Sequence, residues 1–120
     1  MEARMNLYKL LPGSYNAMKH LQDYVDSLEL DKIMGELIKI RASQLNGCVF
    51  CLNMHTKDAR KYGETEQRIY ALPAWHEAPY YTDKERAALA LTEAVTLVSS
   101  SHVPDDVYNE ALKVFTPEEI

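Results

Sequence analysis

The chain has 120 residues, 47% of them hydrophobic, which suits one domain with a real core. A formal net charge of −5 and a pI near 5.3 argue against a nucleic-acid footprint or a basic membrane patch. The start Met1-Glu2-Ala3-Arg4-Met5-Asn6 lacks the order of a secretory signal, and no apolar run is long enough to span a bilayer.

The expectation is therefore a soluble cytoplasmic domain covering residues 1–120. In a reducing compartment a cysteine pair is more often reduced, catalytic or metal-binding than a permanent staple. Glycines and prolines sit at boundaries, the apolar spacing is helical almost throughout, and no period-2 run argues for a strand. There is no internal repeat, low-complexity tract or linker.

In chain order, the spacing predicts a first helix over Ser14 to Leu28, with Ser14 as N-cap and Ala17, Met18, Leu21, Val25 and Leu28 as its apolar stripe. A second runs from Asp31, a natural N-cap, to Leu45, and Asn46-Gly47 stops it because both residues tolerate positive φ. A third opens at Cys48 and closes at Gly63, after the cations Lys57, Arg60 and Lys61. A short helix covers Glu66 to Leu72.

Pro73 and Pro79 then frame an aromatic segment with Trp75, Tyr80 and Tyr81, suited to core packing, a pocket wall or a subunit contact. Thr82-Asp83-Lys84-Glu85 has the form of a capping box and starts the most apolar helix, Ala87 to Val98. Pro104, as a first helical residue, starts another to Phe115. Thr116-Pro117-Glu118-Glu119 repeats the capping-box form just before the last residue, so a final C-terminal helix is expected to be missing.

The chemistry concentrates in Cys48-Val49-Phe50-Cys51-Leu52-Asn53-Met54-His55, which holds both cysteines. Spacings of three, four and seven put Cys48, Cys51 and His55 on one helical face. A helix N-terminus stabilises a thiolate, and a Cys-x-x-Cys pair can close and reopen a disulfide with little backbone change. His55 follows Cys51 by one turn, where an imidazole can take or return the thiol proton. If helices two and three form a hairpin about Gly47, Glu36 lies within about 4–5 Å of His55 along the axis. A carboxylate there can orient the imidazole, giving a relay Glu36–His55–Cys51.

Other assignments compete. Glu36 can equally be a solvated surface residue, and the cysteines can be buried apolar groups or a fortuitous bridge. A zinc site from Cys48, Cys51, His55 and a carboxylate is disfavoured, because structural zinc sites usually draw ligand pairs from two separated segments. No metal and no cofactor are expected. His20, His76 and His102 stand apart from partners in sequence and read as surface or boundary residues. The run Lys57-Asp58-Ala59-Arg60-Lys61 reads as a solvated face.

The pattern Glu36–x11–Cys48–x2–Cys51–x3–His55, with Arg41-Ala42-Ser43-Gln44, Asn46-Gly47-Cys48, Met54-His55-Thr56-Lys57-Asp58-Ala59-Arg60 and Glu85-Arg86-Ala87-Ala88-Leu89-Ala90-Leu91-Thr92-Glu93, resembles the carboxymuconolactone decarboxylase and alkylhydroperoxidase D-like superfamily. The likeness covers most of the chain and is nearest to its small single-domain members. It implies an all-α bundle of about six helices, assembled as a homo-oligomer, trimer or hexamer.

It also implies thiol peroxidase or disulfide oxidoreductase activity. In that branch the residue matching Cys51 attacks the hydroperoxide and Cys48 resolves the sulfenic acid, with His55 and Glu36 at the proton-relay positions. A dithiol donor, a lipoylated or thioredoxin-like protein, re-reduces the pair. Helix-terminus electrostatics alone favours Cys48 as the lower-pKa thiol, whereas adjacency to His55 favours Cys51, and the nearby base decides for Cys51.

Two features depart from the pattern. Phe50 stands where the better-characterised peroxidases carry a histidine, and relatives continue past the position of Ile120 with an apolar helix. A decarboxylase acting on a muconolactone-like acid has no use for two cysteines. A non-enzymatic helical oligomer with a structural or sensing disulfide is the remaining alternative.

Overall fold

A computed structural model describes residues 4–120. Eight α-helices and one 3-10 turn are assigned, with no strand among the described residues. The excess over the expected six comes from two single-turn helices, α1 (Leu7–Leu10) and α7 (Val98–Ser101), too short to show a period. The chain divides into two compact units, Met1–Leu30 and Asp31–Ile120.

The first unit contains α1 and α2 (Pro12–Asp26). Asn6 caps α1 by accepting the Lys9 N–H at 3.0 Å. The Ser14 cap is corrected. Proline at the first position starts α2 two residues earlier, and the Ser14 hydroxyl instead donates to the Leu11 carbonyl at 2.8 Å. Leu28 falls beyond α2, and the expected stripe is not a buried one: Met18, Leu21 and Val25 are all exposed, and α2 buries no residue. A 15-residue helix with no buried face is marginal in water, and the Lys19–Asp23 pair adds only a few tenths of a kcal/mol.

The second unit is built around α3 (Lys32–Asn46), which packs against both α4 (Val49–Lys61) and α6 (Asp83–Thr96). Asp31 caps α3 as expected, accepting the Met34 N–H at 2.8 Å. Gly47 ends it in the left-handed region at φ 63° and turns the chain into α4. Helix α5 (Glu66–Ala71) passes into a 3-10 turn, Leu72–Ala74, and the Thr82–Glu85 capping box forms in full at the start of α6. Pro104 proves to be the N-cap of α8 (Asp105–Leu112) rather than its first residue, because its backbone is extended. The second capping-box pattern also closes: Thr116 N–H donates to Glu119 and Glu119 N–H to Thr116 Oγ1.

Leu37 and Ile40 of α3, Leu72 of the 3-10 turn and Leu89 of α6 are fully buried and cluster with Trp75 and Tyr81, so the aromatic segment supplies core. Tyr80 is exposed. Arg68 of α5 clamps this segment to α6, donating to Glu64 at 2.9 Å, to Glu85 and to the Tyr80 carbonyl, while its guanidinium lies 4.9 Å from the Tyr81 ring centre. Burial pushes the Tyr81 phenol up to about 12, against the opposing charge of Arg68.

Candidate active site

Cys48 is the N-cap of α4, with extended backbone (φ −87°, ψ 95°), and its Sγ accepts the Cys51 N–H at 3.3 Å. The bend at Gly47 sets this up. The Cys48 N–H donates to the Ser43 carbonyl at 3.0 Å, closing α3, and the Cys48 carbonyl receives the first intrahelical bond of α4 from Leu52. The two sulfurs are joined as a disulfide, with the Cα atoms 5.4 Å apart. Both cysteines are half-buried, and between them Val49 and Phe50 are 79% and 71% exposed. Phe50, at the position that departs from the family pattern, therefore faces away from the core.

His55 lies on α4 one turn beyond Cys51, and its Nδ1 is 2.8 Å from Glu36 Oε2. Glu36 is 6% exposed, so it is not a solvated surface glutamate. Its other oxygen, Oε1, accepts from Lys39 Nζ at 3.2 Å. The hairpin of α3 and α4 thus brings Glu36 and His55 together across nineteen positions of sequence. The carboxylate fixes the ring's orientation and leaves Nε2 on the far side of the imidazole for another proton partner. The α3–α4 hairpin thus carries two pairs: a disulfide, which stores two electrons as a sulfur–sulfur bond, and a carboxylate–imidazole pair, a grouping able to move a proton.

Sequence reasoning passed over Asp58. Its run reads as a solvated face in sequence, but Asp58 is half-buried, and its carboxylate lies within 4.8 Å of ligand atoms of both Glu36 and His55. The available signal was its i, i+3 relation to His55. A second polar cluster has no signature in the sequence spacing. Glu93 Oε1 accepts from Arg41 Nε at 2.8 Å and Trp75 Nε1 at 2.7 Å, and Oε2 is 3.3 Å from His76 Nε2. His76 is surface-exposed as expected but has this partner. Burial pulls the Glu93 carboxyl up, but the hydrogen bonds from Trp75, Arg41 and His76 outweigh it and hold it below the usual glutamate value.

The model of a family described as the carboxymuconolactone decarboxylase family matches residues 12–94. The chain is 44% identical to the uncharacterized protein YdfG of Bacillus subtilis, over 99% of its own length and 81% of that protein's. It is 26% identical to the uncharacterized protein YnjA of Escherichia coli over 57% of its length, covering 37% of that protein. A crystal structure from Agrobacterium tumefaciens, of a protein of unknown function offered as an antioxidant-defence candidate, matches with a TM-score of 0.94 at 40% identity, covering 98% of this chain and 81% of that one. The all-helical fold expected from the resemblance is borne out.

Proposed function

The chain belongs to the carboxymuconolactone decarboxylase family, and from that premise we propose that it is a thiol-dependent peroxidase or disulfide oxidoreductase acting in antioxidant defence. The observation that carries the reading is the Cys48–Cys51 disulfide at the start of the helix whose His55 is hydrogen-bonded to Glu36. The antioxidant description of the structurally similar Agrobacterium protein supports the same direction.

In the reduced state His55 takes the Cys51 proton. The Cys51 thiolate attacks one oxygen of a hydroperoxide, the O–O bond breaks, and the leaving alkoxide takes a proton from His55 to depart as an alcohol. Cys51 becomes a sulfenic acid. The Cys48 thiol gives its proton to His55 and the resulting thiolate attacks the Cys51 sulfur; hydroxide leaves, takes that proton from His55 to become water, and the disulfide forms. A dithiol donor, a lipoylated or thioredoxin-like protein, then reduces it by exchange and is itself oxidised. Glu36 orients His55 and stabilises its charged form between the proton transfers.

A cytoplasmic location belongs to this reading, since a dithiol-driven cycle needs a reducing compartment. So does one family domain over residues 1–120, supported by a family match that spans 12–94. Assembly as a homo-oligomer, trimer or hexamer, is supported by the large apolar side chains exposed on the first unit, Leu10, Met18, Leu21 and Tyr24 among them. A decarboxylase would leave both cysteines idle.

The test is a thiol count on reduced protein before and after peroxide, followed by dihydrolipoamide. Two thiols lost and two recovered is the expected outcome; thiols indifferent to peroxide overturn it. Cys51→Ser is expected to abolish single-turnover peroxide consumption, while Cys48→Ser retains one turnover. Retained turnover in the Cys51 variant overturns the assignment of the attacking sulfur.

A further inference from the structure

Asp58 changes what the Glu36–His55 pair can hold. One ligand atom from each of Glu36, His55 and Asp58 lies within 4.8 Å of the other two, with Glu36 buried and the others half-buried. The side chains come from two helices: Glu36 from α3, and His55 with Asp58 one turn apart on α4. Lys39 engages Glu36 Oε1, and Oε2 makes the contact to His55, so an ion here would take the place of the proton shared by Glu36 and His55. Two carboxylates held this close repel unless positive charge lies between them.

We propose that Glu36, His55 and Asp58 form a binding site for a first-row divalent transition ion of the zinc type. The donor set selects the class. One imidazole and two carboxylates suit zinc or cobalt better than calcium or magnesium, which prefer all-oxygen shells. Three protein ligands with a fourth position left for water is an ordinary arrangement for such ions. With ligand distances of about 2.0–2.2 Å, the 4.8 Å spread closes by small rotations of the Asp58 and Glu36 side chains. This set differs from the one built on Cys48 and Cys51, because it uses no sulfur and is complete while the disulfide is closed.

The ion takes the Glu36 carboxylate and a His55 nitrogen, the groups that the proposed relay uses. Occupancy therefore opposes proton transfer at Cys51, and the site acts as a metal-sensitive brake on thiol cycling. This consequence rests on the peroxidase reading, whereas the binding itself does not.

The experiment uses tag-free, disulfide-form protein, in which the thiols cannot ligate. Cobalt(II) is titrated in and followed by visible d–d absorption, with zinc(II) binding measured by calorimetry. Wild type is expected to bind one ion per chain without a thiolate-to-cobalt charge-transfer band. Asp58→Asn and Asp58→Ala, each with wild-type helical circular dichroism, are expected to bind about tenfold or more weakly. Absent d–d bands in wild type, or unchanged affinity in both variants, overturns the site. In reduced protein, zinc is expected to slow peroxide-driven thiol loss in wild type much more than in Asp58→Asn. Equal slowing would assign the inhibition to the thiols and overturn the brake. Thiols inert to peroxide alongside intact cobalt binding would refute the peroxidase reading and leave the site standing.

Discussion

Glu36 Oε2 and His55 Nδ1 meet at 2.8 Å although nineteen positions separate them. The contact exists because Gly47 reverses the chain between α3 and α4 at φ 63°, which stacks the two side chains across the hairpin. If this pair is the proton relay, Glu36→Gln keeps a hydrogen-bond acceptor and removes the charge. Peroxide-driven thiol loss, followed by stopped flow, is then expected to slow about 100-fold. An unchanged rate would remove Glu36 from the chemistry.

Gly47 itself can be tested. A Cβ added there meets no heavy atom within 4 Å, so the cost of Gly47→Ala is backbone strain alone. The left-handed conformation should make the variant less stable by about 1 kcal/mol, read from denaturant midpoints. A neutral substitution would show that the turn relaxes.

Leu37 is fully buried at the centre of the core that holds α3 against its neighbours. Leu37→Ala leaves a cavity in a close-packed interior and is expected to cost about 2–5 kcal/mol. The exposed Leu21→Ala, measured on the same chain, should cost far less unless the chains associate through α2. A stability loss in Leu21→Ala that grows with protein concentration would locate the missing cover of that helix in a second copy.

Arg68 ties the aromatic segment to α6 through Glu64 and Glu85, with side-chain exposures of 21%, 3% and 14%. Burial lowers its pKa, and the two carboxylates more than reverse this, so it stays charged at any working pH. Arg68→Met strands two partly buried carboxylates. Thermal melts are expected to show a loss of about 2–3 kcal/mol, below the full value for a buried pair because water reaches the guanidinium. The loss should shrink in Arg68→Met combined with Glu85→Gln.

Glu93 gives the pH dependence. Its folded pKa is held below the ordinary 4.5, so the folded state binds this proton less readily than the unfolded chain does. The stabilisation is full above that ordinary value and is lost as pH falls through the depressed one. Glu93→Gln should flatten the acid limb of a stability-against-pH curve, and an unaltered acid limb would assign acid lability to other groups.

The sequence by itself determined the local events, because each depends on a few neighbouring residues. Asp31 and Thr82 cap helices through side-chain oxygens that reach the next turn, Gly47 stops α3 because it alone accepts the left-handed bend at no steric cost, and His55 follows Cys51 by one turn because 3.6 residues make a turn. The family pattern was legible for the same reason: its spacings are local once Gly47 is seen as the turn. Only the tertiary structure decided what depends on where helices pack. It buried Glu36 against His55, drew Asp58 from an apparently solvated run to that pair, and joined Glu93 to Arg41 and Trp75 from three segments. It also left the apolar stripe of α2 exposed, since a helical period says which residues share a face but not what covers it.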